Sequence, residues 1–238
     1  MNNTPLQPAP AASGRPLGHI ANGNNPAEMH SAQVKRVLRN TYALLAMTLL
    51  FSAGVAVAAS TMQLPAPGLV ITLAGFFGLL FAIHKLQNSG WALPLVFMLT
   101  GFMGYTLGPL LTHSLALPGG AQTVTLALAA TGGTFLALSG YVLLTRRDFS
   151  FLGGFLLVGM VIALIAGVAA MFLQIPALAL AVSASVALLS AGLILFETSR
   201  IVNGGESNYV LATVGLYVSV FNLFTSLLSL FGIGGSSE

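Results

Sequence analysis

Residues 86–145, LQNSGWALPLVFMLTGFMGYTLGPLLTHSLALPGGAQTVTLALAATGGTFLALSGYVLLT, run from Lys85 to Arg146 without one Asp, Glu, Lys or Arg. A helix that crosses a bilayer needs roughly 20 apolar residues. Sixty uncharged residues therefore hold two spans and the link between them, and Pro118-Gly119-Gly120 lies where the link is needed. The same reading extends in both directions. Between Arg39 and Lys85 lie 45 uncharged residues, between Asp148 and Glu197 another 48, and between Glu206 and Glu238 another 31. Three gaps hold two spans each and the last holds one, which predicts seven. Only 5% of the 238 residues are charged and 56% are hydrophobic, whereas a soluble domain is about a quarter charged. Such a chain has too few polar groups to cover a globular surface in water.

The spans are expected at about 41–61, 69–86, 91–112, 121–144, 151–173, 177–199 and 208–232. Breakers separate them: Pro65 and Pro67, Asn88-Ser89-Gly90, Pro118-Gly119-Gly120, Phe149-Ser150, Gln174-Ile175-Pro176 and Asn203-Gly204-Gly205. Residues 1–34, rich in Pro, Asn, Ala and Gly, have few aliphatics to bury and read as a disordered tail, with disorder expected up to about Pro26 and the basic stretch 34–39 feeding the first helix; 35–234 form the membrane domain. The tail has no apolar segment of the signal-peptide kind. With seven spans, Arg15, Lys35, Arg36, Arg39, Lys85, Arg146, Arg147 and Arg200 all fall on one side. The positive-inside rule makes that side cytoplasmic, with the N-terminus inside and the C-terminus periplasmic. The fold class is thus an all-α integral membrane protein, a seven-helix bundle.

Small residues mark where helices approach in lipid. Gly104 and Gly108 form such a pair in span three, and Ala163/Gly167 with Ala166/Ala170 do so in span five. In span seven, Ala212, Gly215, Ser219, Asn222, Ser226 and Ser229 are spaced 3, 4, 3, 4, 3 and lie on one helical stripe. A polar stripe at membrane depth must face protein or water, which makes span seven a central helix. Span six has a matching stripe, Ser183, Ala187, Ser190, Ile194 and Glu197, and the simplest packing sets the two together.

Glu197 is the only carboxylate within an expected span. Ionisable residues at membrane depth are costly and are functional candidates. Its position near the end of span six, with Arg200 one turn on, is equally that of an interfacial ion pair. Glu197, Arg200, Ser219 and Asn222 together form the candidate gate or latch. Other chemistry fails by inventory. There is no cysteine, and the sole aspartate, Asp148, lies in a loop. His19 and His30 belong to the tail, while His84 and His113 cap spans on opposite faces. No catalytic, metal or cofactor site is expected, and no basic stripe interleaved with aromatics suggests nucleic acid. Inverted repeats of the transporter kind are not visible.

Several segments resemble a known family. These are Phe196-Glu197-Thr198-Ser199, Gly204-Gly205-Glu206-Ser207-Asn208-Tyr209 and Leu216-Tyr217-Val218-Ser219-Val220-Phe221-Asn222-Leu223-Phe224. With them go Val37-Leu38-Arg39-Asn40-Thr41-Tyr42, Thr100-Gly101-Phe102-Met103-Gly104-Tyr105 and Thr145-Arg146-Arg147-Asp148-Phe149-Ser150-Phe151-Leu152-Gly153-Gly154. Over about residues 34–232 the chain resembles the Bax-inhibitor (transmembrane Bax inhibitor motif) family, in its bacterial branch that modulates the FtsH-type membrane protease. The resemblance implies seven helices with the last one central, a place in the bacterial cytoplasmic (inner) membrane, and a non-enzymatic role. It implies restraint of FtsH-type ATP-dependent proteolysis through contact with the protease and its associated membrane proteins. The alternative it implies is a pH-sensitive leak for calcium or another cation, latched in other branches by two aspartates. Those positions fall on Glu197 and Ser219 here, and a serine cannot share a proton in a carboxyl pair.

Overall fold

The computed structural model describes residues 26–234, with side chains described for 31–232. Among the described residues seven α-helices follow one another: α1 (Pro26–Thr61), α2 (Leu69–Leu86), α3 (Ala92–Ala116), α4 (Gly120–Thr145), α5 (Gly153–Leu173), α6 (Pro176–Val202) and α7 (Tyr209–Gly234). A single 3-10 turn, Ser150–Leu152, leads into α5. Each helix has a segment long and apolar enough to cross a membrane. Helices are forced on such sequences because hydrocarbon offers no partner to a free N–H or C=O. Where the chain turns, residues adopt the left-handed region: Gln63, Arg146 and Gln174, with Gly119 (φ 70°) and Gly204 (φ 75°).

Residues 26–34, expected to be part of the tail, are helical instead. Proline is favoured at a first helical position because its missing N–H would have no partner there. Extending an existing helix costs far less than nucleating one, so the long first span propagates outward to Pro26. Residues 1–25, the rest of that tail, lie outside the described residues.

The bundle is held by close approaches at glycine. A Cβ on Gly108 of α3 would lie 2.5 Å from the Ala59 Cβ and 3.1 Å from the backbone of Ala59 and Ser60. Gly104, one turn away, abuts the Ser52 carbonyl. The small pair singled out in span three thus lies on α1, across one of the most extensive interfaces. Between α5 and α6 the fit is reciprocal: Leu189 fills the space over Gly159, and Leu156 that over Gly192.

The helix α7 packs against α1, α3, α4 and α6, and half of its most apolar stretch is buried, whereas α2 buries only Ile83 and α5 only Leu156, Ala163 and Ala170. Its burial is not confined to the polar stripe: Leu216, Tyr217 and Leu223 are enclosed as well as Ala212 and Ser219. The Tyr217 hydroxyl shares a 2.6 Å hydrogen bond with Ser52 and donates to the Thr100 carbonyl at 3.3 Å, tying α7 to α1 and α3 at membrane depth.

Gly108→Ala is expected to lower stability by about 1–3 kcal/mol through overpacking against the α1 backbone. Gly133→Ala on α4, where a Cβ meets open space, is expected to change little. Thermal unfolding of both variants in detergent micelles distinguishes them.

Candidate functional site

Three connections meet at one end of the bundle. Val37 of α1, Ile83 of α2, Ile201 of α6 and Val210 of α7 share one apolar cluster there. The α6–α7 turn is bound to the α2–α3 turn through Asn208, whose Nδ2 donates to the Gln87 carbonyl (3.3 Å), Gln87 Oε1 (3.2 Å) and Asn88 Oδ1 (3.2 Å). The same residue caps α7, its Oδ1 accepting from the Val210 N–H at 2.9 Å. Ser199 of α6 fastens the α4–α5 turn: its hydroxyl accepts from the Phe149 N–H at 2.9 Å and donates to the Arg147 carbonyl at 3.2 Å. Lys35, Arg36, Arg39, Lys85, Arg146, Arg147 and Arg200 thereby gather at a single end.

Arg200 lies between two carboxylates. Its Nη2 donates to Glu206 Oε2 at 2.9 Å, and its Nη1 is 3.6 Å from Glu197 Oε2. The guanidinium also stacks over the Phe196 ring, 5.5 Å from its centroid, a cation–π contact. The carboxylates are 14% (Glu197) and 12% (Glu206) exposed and the arginine 33%. Glu206 reaches this position because Asn203-Gly204-Gly205 reverses the chain: its N–H donates to the Arg200 carbonyl at 3.1 Å. Its Oε1 then accepts from the Asn208 N–H at 2.9 Å, so one carboxylate links the arginine to the cap of α7.

Glu197 rests on α7 at a glycine. A Cβ on Gly215 would lie 2.8 Å from both the Glu197 carboxyl carbon and Oε1. Of the four candidate residues, Glu197 and Arg200 are brought together. The Ser219 hydroxyl is one turn along α7 and donates to the Gly215 carbonyl at 2.8 Å, a bond within its own helix. Asn222 enters the bonding only through its backbone, its carbonyl accepting from Thr225 at 3.1 Å. Sequence reasoning missed Glu206; the available signal was an acidic residue six positions after Arg200 across a Gly-Gly reversal. Gly215 was visible as a small residue on the α7 stripe, but not as the seat of the carboxylate. Among the described residues no three His, Cys, Asp or Glu side chains are grouped to hold a metal ion.

A family model described as "Inhibitor of apoptosis-promoting Bax1" matches residues 34–236. The chain belongs to this Bax-inhibitor family. It is 52% identical to the Escherichia coli K12 protein named "Modulator of FtsH protease YccA", over 83% of this chain and 90% of that protein. It is 50% identical to an uncharacterized protein of Pseudomonas aeruginosa, over 90% of this chain and 96% of the relative. An uncharacterized membrane protein of Vibrio cholerae is 42% identical over 87% and 93%. The same Escherichia coli name appears as "Inner membrane protein YccA" in a second strain at 52% identity. With seven helices able to span, this Bax-inhibitor family member is a multi-pass protein of the bacterial inner membrane.

Two features of this family member's basic end are open to test. Asp148 accepts from the Ser150 hydroxyl at 2.5 Å and from the Ser150 N–H at 2.8 Å. The Ser150 side-chain bond, then the backbone bond, holds its carboxyl below the ordinary 3.8. A folded value below the unfolded one stabilises above the unfolded pKa, and that contribution is lost as pH falls through the folded value. Asp148→Ala is therefore expected to lower the melting temperature at neutral pH, with the gap to the parent narrowing below about pH 4. Melting curves from pH 7 to pH 3 check it.

At the glycine seat, Gly215→Ala is expected to destabilise by about 1–3 kcal/mol. The loss should shrink in a Glu197→Ala background, because the clashing carboxylate is gone. A double-mutant cycle of unfolding free energies measures this coupling, and additive losses would disprove the contact.

Proposed function

We propose that this Bax-inhibitor family member restrains FtsH-type ATP-dependent proteolysis in the inner membrane by direct contact with the protease or with membrane proteins associated with it. The observation that carries the reading is the 52% identity, across 90% of its length, to a protein named modulator of FtsH protease. The proposed topology places the N-terminus and the basic end in the cytoplasm and the C-terminus in the periplasm, with α7 central. The gathering of seven basic residues at one end of the bundle and the enclosure of α7 by four helices support it.

The architecture suits such a role. A processive protease starts on an unstructured segment and must then extract the helices one by one. Residues 1–25 precede α1 on the proposed cytoplasmic side. Behind them the backbone contacts at Gly104 and Gly108 bind α1 to α3, and Tyr217 binds both to α7. Pulling on the N-terminus therefore loads the α1–α3 interface, the most extensive in the bundle, first, so the enzyme is occupied rather than rapidly fed. In this reading Glu197, Arg200 and Glu206 are a clasp that holds α6, its turn and α7 together.

The test is degradation of an unrelated membrane substrate by a purified FtsH-type protease in proteoliposomes. The full-length chain is expected to slow it several-fold, and a chain lacking residues 1–25 is expected itself to survive longer than the parent. Unchanged substrate degradation in the presence of the full-length chain would overturn the reading. Equal survival of both forms would remove the N-terminal segment from it.

A further inference from the structure

The outer face of α2 is the least covered in the bundle. Of its residues only Ile83 is buried, and it packs on α3, where Phe102 fills the space over Gly75. Opposite that contact, Phe77, Leu80, Phe81, His84 and Lys85 line a shallow groove of about 720 Å³. Their spacing, i, i+3, i+4, i+7, i+8, makes it a single stripe down one helix. Phe77 is 51% exposed and Phe81 71%. Phe77 is held upright by an edge-on contact with Phe76, 5.2 Å between centroids. One end of the groove is thus apolar and aromatic, while the other carries an exposed ammonium and an imidazole. Among the described residues Lys85 has no ion-pair partner; the two salt bridges both belong to Arg200.

The dimensions fit one leaflet. The 18 residues of α2 rise about 27 Å, close to the hydrocarbon thickness of roughly 30 Å. Lys85, in the last turn, then lies at the headgroup level on the basic end of the bundle. Phe77, near the middle of the helix, lies at the bilayer midplane, about 12 Å away along the axis. The groove therefore runs from headgroup depth to the end of one leaflet's chains, cationic where the headgroup lies and apolar where the chain lies. A helix of a second protein would match the apolar part but would leave the ammonium without an anion.

We propose that this groove is a binding site for an anionic phospholipid, its acyl chain along Phe77, Leu80 and Phe81 and its phosphate on Lys85 beside His84. A lysine close to an anionic headgroup favours it by about five-fold over a neutral one. The Trp91 ring, 68% exposed at the start of α3, belongs to the same turn and adds an interfacial anchor of the kind enriched at headgroup depth.

Native mass spectrometry of the full chain, taken from vesicles of equal phosphatidylglycerol and phosphatidylcholine, tests the site. The parent is expected to retain one phosphatidylglycerol in about five-fold preference to phosphatidylcholine. Lys85→Gln should bring that ratio close to one. Arg146→Gln, which removes an exposed cation at the end of α4, should leave it unchanged. Phe77→Ala with Phe81→Ala should reduce the total lipid retained while Lys85 is intact. Equal retention of the two lipids by the parent overturns the proposal. So does an equal effect of Lys85→Gln and Arg146→Gln, which would mean diffuse attraction to the whole basic end. A lipid-free dimer disrupted by the phenylalanine variants would assign the groove to a second copy instead.

Discussion

Lipid gives two apolar helices no hydrophobic reason to associate, so everything in this bundle depends on how closely backbones approach. The glycines divide accordingly. Those at 104, 108, 159, 192 and 215 each leave a space that a neighbouring helix fills with a carbonyl, a methyl, a leucine or a carboxylate. Those at 132, 133 and 140 on α4 meet nothing. Dispersion over short distances replaces water-driven burial as the cohesive term, and it needs the missing Cβ. The polar contacts at membrane depth are few, and they occur where the approach is already close: Tyr217 reaches Ser52 at the turn that Gly104 abuts.

That cohesion is uneven. The helices α1, α3, α6 and α7, with α4, make the extensive interfaces, while α2 rests on α3 and α5 on α6. The result is a well-packed interior with two outlying helices whose outer faces are available to lipid. Polar organisation is equally uneven. Asn208, Ser199 and the Arg200 clasp fix three turns to one another at the basic end, so this end is a cross-braced surface rather than three independent loops. A partner on that side meets a shape already set by buried side chains.

Much of this was legible in the residues. The gaps between charges gave seven spans because charge at membrane depth is costly, and nothing in folding overrides that cost. The Gly104/Gly108 pair pointed to an interface because small residues let backbones approach closely in lipid. Disorder was expected to end at about Pro26, but the helical character of 26–34 was not legible: these residues carry few aliphatics, and helix propagation from the span beyond them carries the backbone outward to Pro26. The stripe on α7 located a buried face but understated it, since a helix enclosed on several sides buries Leu216 and Leu223 as readily as Ser219. Glu206 was not legible because its role comes from a chain reversal at Gly204, and spacing along a helix says nothing about what a turn brings back.

Ser219 offers Glu197 no second carboxylate. Two carboxylates in contact titrate as a coupled pair, and a hydroxyl cannot take part in such a pair. The Ser219 hydroxyl is satisfied by the carbonyl one turn back, which is the usual resolution for a serine within a helix. The remaining carboxylate is placed by fixed contacts: the bare backbone of Gly215 on one side and a guanidinium on the other. That guanidinium is itself held more closely by Glu206, at 2.9 Å against 3.6 Å. Straightening the α6–α7 turn would therefore withdraw Glu206 from Arg200, leaving Glu197 and Arg200, three residues apart on α6, with only each other.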